Sequence, residues 1–118
     1  MRRERHDSSD AAALGAVSEW DREAFEAGTQ MGVALVEFHV WWAVQSAAQL
    51  AEYAPLAARM CDRVGFGRVD VQRHADLAAG NRILSVPTFI LFKNGEEFGR
   101  LVGLQPADVL ERWITALL

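Results

Sequence analysis

The sequence predicts an α/β fold in which a central mixed sheet lies between two layers of helices. Segments of strand composition alternate with segments of helix formers, an order that favours parallel strands joined by right-handed crossovers. The run 33–40 is almost continuously apolar, as expected of a central strand covered on both faces. Asn94-Gly95 lies between two further strand-like segments and predicts an antiparallel hairpin, because a type I′ turn needs positive φ at both positions.

The remaining elements follow in chain order with turn residues between them. Strands are expected at 12–17, 33–40, 66–71, 89–93 and 96–102, and helices at 18–28, 43–62, 72–80 and from 105–107 onward. Ser18 is expected to cap the first helix, since its hydroxyl can accept a hydrogen bond from the first turn. Gly28 is expected to end that helix. Pro55 should kink the second helix, because proline removes one main-chain hydrogen bond.

Length and composition exclude several classes of protein. A chain of 118 residues, half of them apolar, fits one domain, which we expect at 12–118 after a disordered tail at 1–11. The formal net charge of −4 argues against a nucleic-acid partner, which requires clustered Lys and Arg. There is no run of 18 or more apolar residues and no secretory signal pattern. We therefore expect no membrane association and a cytoplasmic location.

Two segments together resemble the thioredoxin family. Residues 33–46 read VALVEFHVWWAVQS, and residues 85–96 read SVPTFILFKNGE. The family has a strand that ends in Trp-Cys-x-x-Cys, and a cis-proline before Thr that faces the dithiol. The resemblance extends over about residues 12–118. It implies a thioredoxin-like three-layer α/β/α sandwich with a central mixed sheet.

Both sulfur positions of the family are vacant in this chain. Ala43 and Ser46 occupy the places of the two cysteines, and Cys61 is the only cysteine, so no intramolecular disulfide can form. Alanine carries no nucleophile, and a serine hydroxyl has no redox couple. We therefore expect a redox-inactive protein that uses no cofactor. The alternative is a thioredoxin-type thiol-disulfide oxidoreductase whose two active-site cysteines were mutated to Ala43 and Ser46.

Glu37 interrupts the apolar run where the family buries an Asp, and Arg68 lies on the next strand where the family has a Lys. A carboxylate in a central strand is costly unless it is paired. We therefore expect a buried ion pair between Glu37 and Arg68, beneath the former dithiol site. The alternative is that Glu37 reaches water at the sheet edge. The pairing predicts that Glu37→Gln lowers stability at neutral pH and barely alters it at acid pH.

His39, Ser46 and Cys61 are further candidates for a site. His39 shares a strand face with Glu37, so a triad of Ser46, His39 and Glu37 is conceivable. One straight strand rarely aligns imidazole and carboxylate in that way, and no nucleophile elbow is present. Cys61 is expected to be a small, buried or half-buried apolar side chain. The histidines and Cys61 lack metal-ligand spacing, so we expect no metal.

The adjacent residues Trp41 and Trp42 carry the strongest indication of function. In the family, the Trp before the dithiol packs beside the substrate groove, and the cis-proline loop offers main-chain groups to an extended peptide. The resemblance therefore implies a peptide-binding groove formed by Trp41, Trp42, Val86, Pro87 and Thr88. The expected partner is a protein or peptide client, which a chaperone-like or assembly module would bind. Self-association through the indoles into a homo-oligomer is the alternative.

Overall fold

Five strands and four helices make up residues 17–118, the part of the chain that this computed structural model describes. The strands are β1 (Val17–Glu19), β2 (Val33–His39), β3 (Gly65–Asp70), β4 (Thr88–Lys93) and β5 (Glu96–Val102). The helices are α1 (Arg22–Gln30), α2 (Val44–Met60), α3 (Ala75–Gly80) and α4 (Ala107–Leu117). The expected disordered tail lies outside the described residues.

The strands form one mixed sheet in the order β1-β3-β2-β4-β5. β1, β3 and β2 run parallel, whereas β4 is antiparallel to β2 and β5 is antiparallel to β4. Asn94 and Gly95 join β4 to β5 with φ angles of 51° and 86°. Both values are positive, as the sequence predicts for this hairpin.

Helices cover both faces of the sheet, which confirms the three-layer architecture. On one face α2 and α4 pack on the sheet through the buried residues Leu35, Tyr53, Leu56, Met60, Phe89, Leu110 and Ile114. On the other face α1 and α3 pack through Phe25, Val36, Phe38, Val69, Leu77, Ile90 and Phe92. β2 contributes to both clusters, since alternate side chains of a strand point to opposite faces. It is therefore the covered central strand that its apolar run predicts.

The start of the first helix differs from the prediction. Ser18 lies in β1, opposite Gly67 of β3, because its main chain is used in the sheet. Asp21 caps α1 instead: its Oδ1 accepts a hydrogen bond from the Ala24 N–H at 2.9 Å. The strand expected at 12–17 is observed three residues long from Val17, and residues 12–16 lie outside the described part of the chain.

Gly28 does not end α1, which continues to Gln30. A side chain at Gly28 or at Gly67 would overlap the indole of Trp20, so the ring packs between these two glycines. Gly28 therefore serves packing between α1 and the sheet, which a local reading of the sequence does not show.

No helix among residues 17–118 is both long and apolar enough to cross a membrane. Pro55 lies inside α2 with its ring exposed. The expected kink of the helix at this residue stays a prediction. The cytoplasmic location of the protein also stays a prediction.

Replacing Gly67 by Ala should destabilise the fold by about 1–3 kcal/mol, because the added methyl group must displace the Trp20 indole from a filled core. Urea unfolding followed by far-UV circular dichroism would measure the change. Gly80→Ala is the matched control, since a Cβ at Gly80 meets no atom within 4 Å. Equal stability of both variants would show that Trp20 does not fill this space.

Candidate functional site

The residues that the sequence singles out gather at one edge of the sheet. β2 and β4 are antiparallel, and Phe38 of β2 lies opposite Thr88 of β4. The segment that follows β2 and the segment that precedes β4 therefore meet at the same edge. The first carries Trp41 and Trp42, and the second carries Pro87, whose peptide bond with Val86 is cis.

Ala43 and Ser46 lie at the N-terminus of α2, where neither offers a reactive group. Ala43 is the N-cap residue and is half-buried. Ser46 is buried, and its hydroxyl donates a short hydrogen bond to the Val40 carbonyl oxygen. The hydroxyl is thus already used inside the protein, and the same carbonyl also accepts a hydrogen bond from the Ala43 N–H at 3.2 Å.

Both indoles are exposed, with 63% of the Trp41 surface and 59% of the Trp42 surface open to solvent. The Trp42 Nε1–H donates to Gln72 Oε1 at 2.7 Å, so that ring rests against the turn after β3. The Trp41 main-chain N–H faces Asp70 Oδ2 at 3.3 Å. Asp70 Oδ1 accepts hydrogen bonds from the N–H groups of Gln72 and Arg73.

Asp70, which bonds the Trp41 main chain, and Gln72, which bonds the Trp42 indole, were not among the predicted site residues. An Asp at the end of a strand often accepts hydrogen bonds from the N–H groups of the following turn, and this signal was available. Nothing in the sequence indicates that Gln72 contacts Trp42, because the two residues meet only through the tertiary fold.

The proline loop leaves one main-chain unit available. The Pro87 carbonyl accepts a hydrogen bond from the Gly103 N–H at 2.8 Å. Thr88 is buried, and its hydroxyl donates to the Ser85 carbonyl at 2.7 Å. Within the described residues, by contrast, the N–H and C=O groups of Val86 form no hydrogen bond. Val86 is half-buried, so its main-chain groups are both unpaired and near the surface.

An apolar cleft of about 390 Å³ lies between α3 and the proline loop. Its lining includes Val71, Ile83, Leu84 and Val86. Val71 precedes Gln72, which carries the Trp42 indole, and Val86 belongs to the proline loop. Leu84 is 96% exposed at the rim. The cleft therefore borders the proline loop at one end and, through Val71, the turn that carries Gln72.

Glu37 and Arg68 are directly opposed on β2 and β3, on the face of the sheet that α2 covers. Arg68 Nε donates to Glu37 Oε1 at 2.8 Å, and the Glu37 side chain is 0% exposed. Arg68 also donates from Nη2 to the Ser46 carbonyl at 3.0 Å, and its Nη1 lies 3.5 Å from Glu19 Oε2. Because Glu37 lies on the central strand, it does not reach water at the sheet edge.

The pair does not make Glu37 a stronger acid. Burial raises the pKa of Glu37 above its usual value, and the opposing charge and hydrogen bond of Arg68 offset only part of that shift. The unfavourable free energy of removing the Glu37 carboxylate from water is therefore larger than the favourable free energy of its interaction with Arg68.

His39 does not join Glu37 and Ser46 in a catalytic triad. Its Nε2 lies 3.0 Å from Glu19 Oε1, so the carboxylate partner comes from β1. Its Nδ1 lies 3.4 Å from Ser46 Oγ, which is long for a hydrogen bond, and the serine hydrogen is directed to Val40. With Ser46 buried as well, the arrangement provides no nucleophile for a substrate.

The thioredoxin family model matches residues 16–116. The chain belongs to the thioredoxin family. Thioredoxin H2-1 of Oryza sativa subsp. japonica is 32% identical over 111 residues, which cover 92% of this chain and 78% of that protein. Thioredoxin of Staphylococcus saprophyticus is 32% identical over 92 residues, which cover 75% and 88%. The crystal structure of the Malassezia sympodialis thioredoxin Mala s 13 has a TM-score of 0.77 and 26% identity, over 85% of this chain and 89% of that one.

The thiol of Cys61 lies far from the N-terminus of α2. Cys61 follows α2 at its C-terminal end, about 27 Å from Ala43 at a rise of 1.5 Å per residue. It is exposed, so the expectation of a buried or half-buried side chain is wrong. The reason is local: the buried stripe of α2 ends at Met60, and the next residue faces solvent. Among residues 17–118 no cluster of His, Cys, Asp and Glu side chains is suited to a metal ion.

The raised pKa of Glu37 reverses the pH effect that the sequence predicts for Glu37→Gln. An acid whose folded pKa is raised contributes stability below its unfolded pKa, near 4.5, and loses that contribution as pH rises through the folded value. Glutamine does not ionise, so the variant does not lose stability in this way as pH rises. The variant should match the parent near pH 4 and become the more stable of the two by pH 8, as measured by urea unfolding across this range.

Glu97→Gln is the matched control, because Arg100 lowers the pKa of Glu97 by a hydrogen bond at an exposed site. A lowered pKa has the opposite sign, so this variant should lose stability relative to the parent at neutral pH. If Glu37→Gln follows the same direction as Glu97→Gln, Arg68 outweighs burial, and the assignment for Glu37 is wrong.

Proposed function

We propose that this chain is a redox-inactive member of the thioredoxin family that binds an extended segment of a client protein. The binding surface consists of Trp41, Trp42 and the main chain of Val86, and the buried residues Pro87 and Thr88 complete the loop. The observation that carries the proposal is the pair of indoles, more than half exposed beside an available main-chain unit, at a site whose two sulfur positions hold Ala43 and Ser46. Such a protein would act as a chaperone-like or assembly module.

The contacts of the surface favour an extended client over a folded one. Exposed Trp side chains are frequent anchors of protein interfaces, because a flat ring buries much area at low entropic cost. The N–H and C=O groups of Val86 can pair with the main chain of a client, which gives affinity with little demand on sequence. Leu84 and the apolar cleft below it would accept the client's side chains.

Replacing both Trp41 and Trp42 by Ala should weaken client binding at least about tenfold, since buried aromatic anchors each contribute on the order of 2 kcal/mol. The probe is a fluorescein-labelled unfolded protein with carboxymethylated thiols, followed by fluorescence anisotropy. Phe98→Ala is the control, because Phe98 is about half exposed on β5, away from this surface.

Two results would contradict the proposal: no binding by the parent chain, or equal loss in both variants. Light scattering of the unliganded chain tests the competing use of the same indoles. A dimer that the double substitution dissociates would show that a second copy, and not a client, covers the surface.

A thiol-disulfide oxidoreductase that has lost its cysteines is the second candidate. Its support is positional. Ala43 caps α2 and Ser46 lies in its first turn, where helix N–H groups would stabilise a thiolate, and the relatives are thioredoxins.

The chain itself should reduce insulin no faster than dithiothreitol alone, because a single exposed Cys61 cannot complete an intramolecular dithiol cycle. A variant with Ala43→Cys and Ser46→Cys separates the two candidates in the same turbidity assay. A strong gain favours the oxidoreductase with lost cysteines. No gain, in a variant that unfolds like the parent, favours a surface used for binding alone.

A further inference from the structure

We propose that a second cleft, between α2 and the loop that joins β5 to α4, is a side-chain subsite that selects arginine or lysine in the client. This inference rests on the proposed function, because the cleft opens beside the same surface. The cleft would add selectivity for one type of client side chain, whereas the indoles and the Val86 main chain would bind many sequences.

Gln49 builds one wall of this cleft by fixing the loop to α2. Its side chain is 1% exposed, and its Nε2 donates to the Gln105 carbonyl at 2.8 Å. The Gln105 N–H donates back to Gln49 Oε1, also at 2.8 Å. A buried amide that satisfies both main-chain groups of one distant residue holds that residue in a single place.

The same loop is continuous with the proposed binding surface. The Gly103 N–H donates to the Pro87 carbonyl, so one end of the loop is bound to the proline loop. Its other end is bound to Gln49. Leu104 lies between the two attachments and is half exposed. A client that pairs with Val86 would therefore pass Leu104 and reach the cleft.

The lining of the cleft matches a long side chain with a cationic end. Its volume is about 410 Å³, and Ala48, Leu104 and Pro106 provide apolar surface for an aliphatic stem. Glu52 is the one charged residue of the lining. Its Oε1 accepts the Ala107 N–H at 2.7 Å, and within residues 17–118 no cation pairs with its carboxylate. The second oxygen can therefore accept a hydrogen bond from a guanidinium or ammonium group.

Norleucine and glutamate would fit this lining less well than arginine or lysine. Norleucine supplies the stem without the charge, and a client carboxylate would be repelled by Glu52. The exposed position of Glu52 limits the gain, since an ion pair at a solvent-exposed site is worth little and is screened by salt.

A cysteine-free positional-scanning library of fluorescein-labelled octapeptides tests the subsite by anisotropy. At one position, arginine or lysine should bind roughly two- to fivefold more tightly than norleucine at low salt. Glu52→Gln should remove this preference and leave norleucine peptides unchanged, because glutamine keeps the oxygen that accepts the Ala107 N–H. Glu23→Gln, an exposed change of equal charge on α1, should keep the preference.

The outcomes separate the subsite from the proposed function. Peptides that bind through Trp41 and Trp42 but show no cationic preference, or a preference that Glu52→Gln preserves, would overturn the subsite alone. Absence of peptide binding, or binding that the double Trp substitution leaves intact, would overturn both. Loss of preference in Glu23→Gln as well would assign the effect to net charge and reject the cleft.

Discussion

The buried contact between Arg68 and Glu37 is the constraint on which the candidate site depends. Arg68 reaches Glu37 on β2, Glu19 on β1 and the Ser46 carbonyl in the first turn of α2, so one guanidinium joins three parallel strands to the helix. A buried charge is tolerated when its hydrogen-bonding groups are satisfied. Within residues 17–118, every buried side-chain nitrogen and oxygen has a partner. The loops above the network therefore rest on a fixed base.

The hydrogen bonds of this network are complete without a sulfur atom at positions 43 and 46. The Ser46 hydroxyl satisfies the Val40 carbonyl, and His39 reaches Glu19, so the polar groups nearest to Ala43 bond one another. Because these polar groups are already hydrogen-bonded to one another, none of them requires a thiolate or a substrate proton as a partner. What the edge of the sheet still presents outward is apolar and aromatic. These exposed aromatic and apolar groups are the features that support the proposal of a binding function.

The sequence predicts most of the fold where local pattern and tertiary structure agree. The bounds of β5 and the Asn94-Gly95 hairpin follow from residues that are neighbours in the chain. It fails where a distant partner decides. Ser18 has the chemistry of a helix cap, yet pairing with β3 draws it into a strand. Gln49 looks like any polar helix residue, because its partner Gln105 lies 56 positions away. The sign of the Glu37 effect needs the depth of burial, which only coordinates supply.

The helix α2, which has Ala43 and Ser46 at its N-terminus, also provides one wall of the cleft beside the β5–α4 loop. Residues on its successive turns make different contacts. The Ser46 hydroxyl donates to the Val40 carbonyl, Gln49 accepts a hydrogen bond from the β5–α4 loop, and Glu52 lines the cleft. Because Ser46 and Gln49 are buried, substitutions at these two positions alter the support of the surface. Glu52 is exposed, and Glu52→Gln removes its charge while keeping the oxygen that accepts the Ala107 N–H. The charge of the cleft can therefore change while the contacts of Ser46 and Gln49 stay intact.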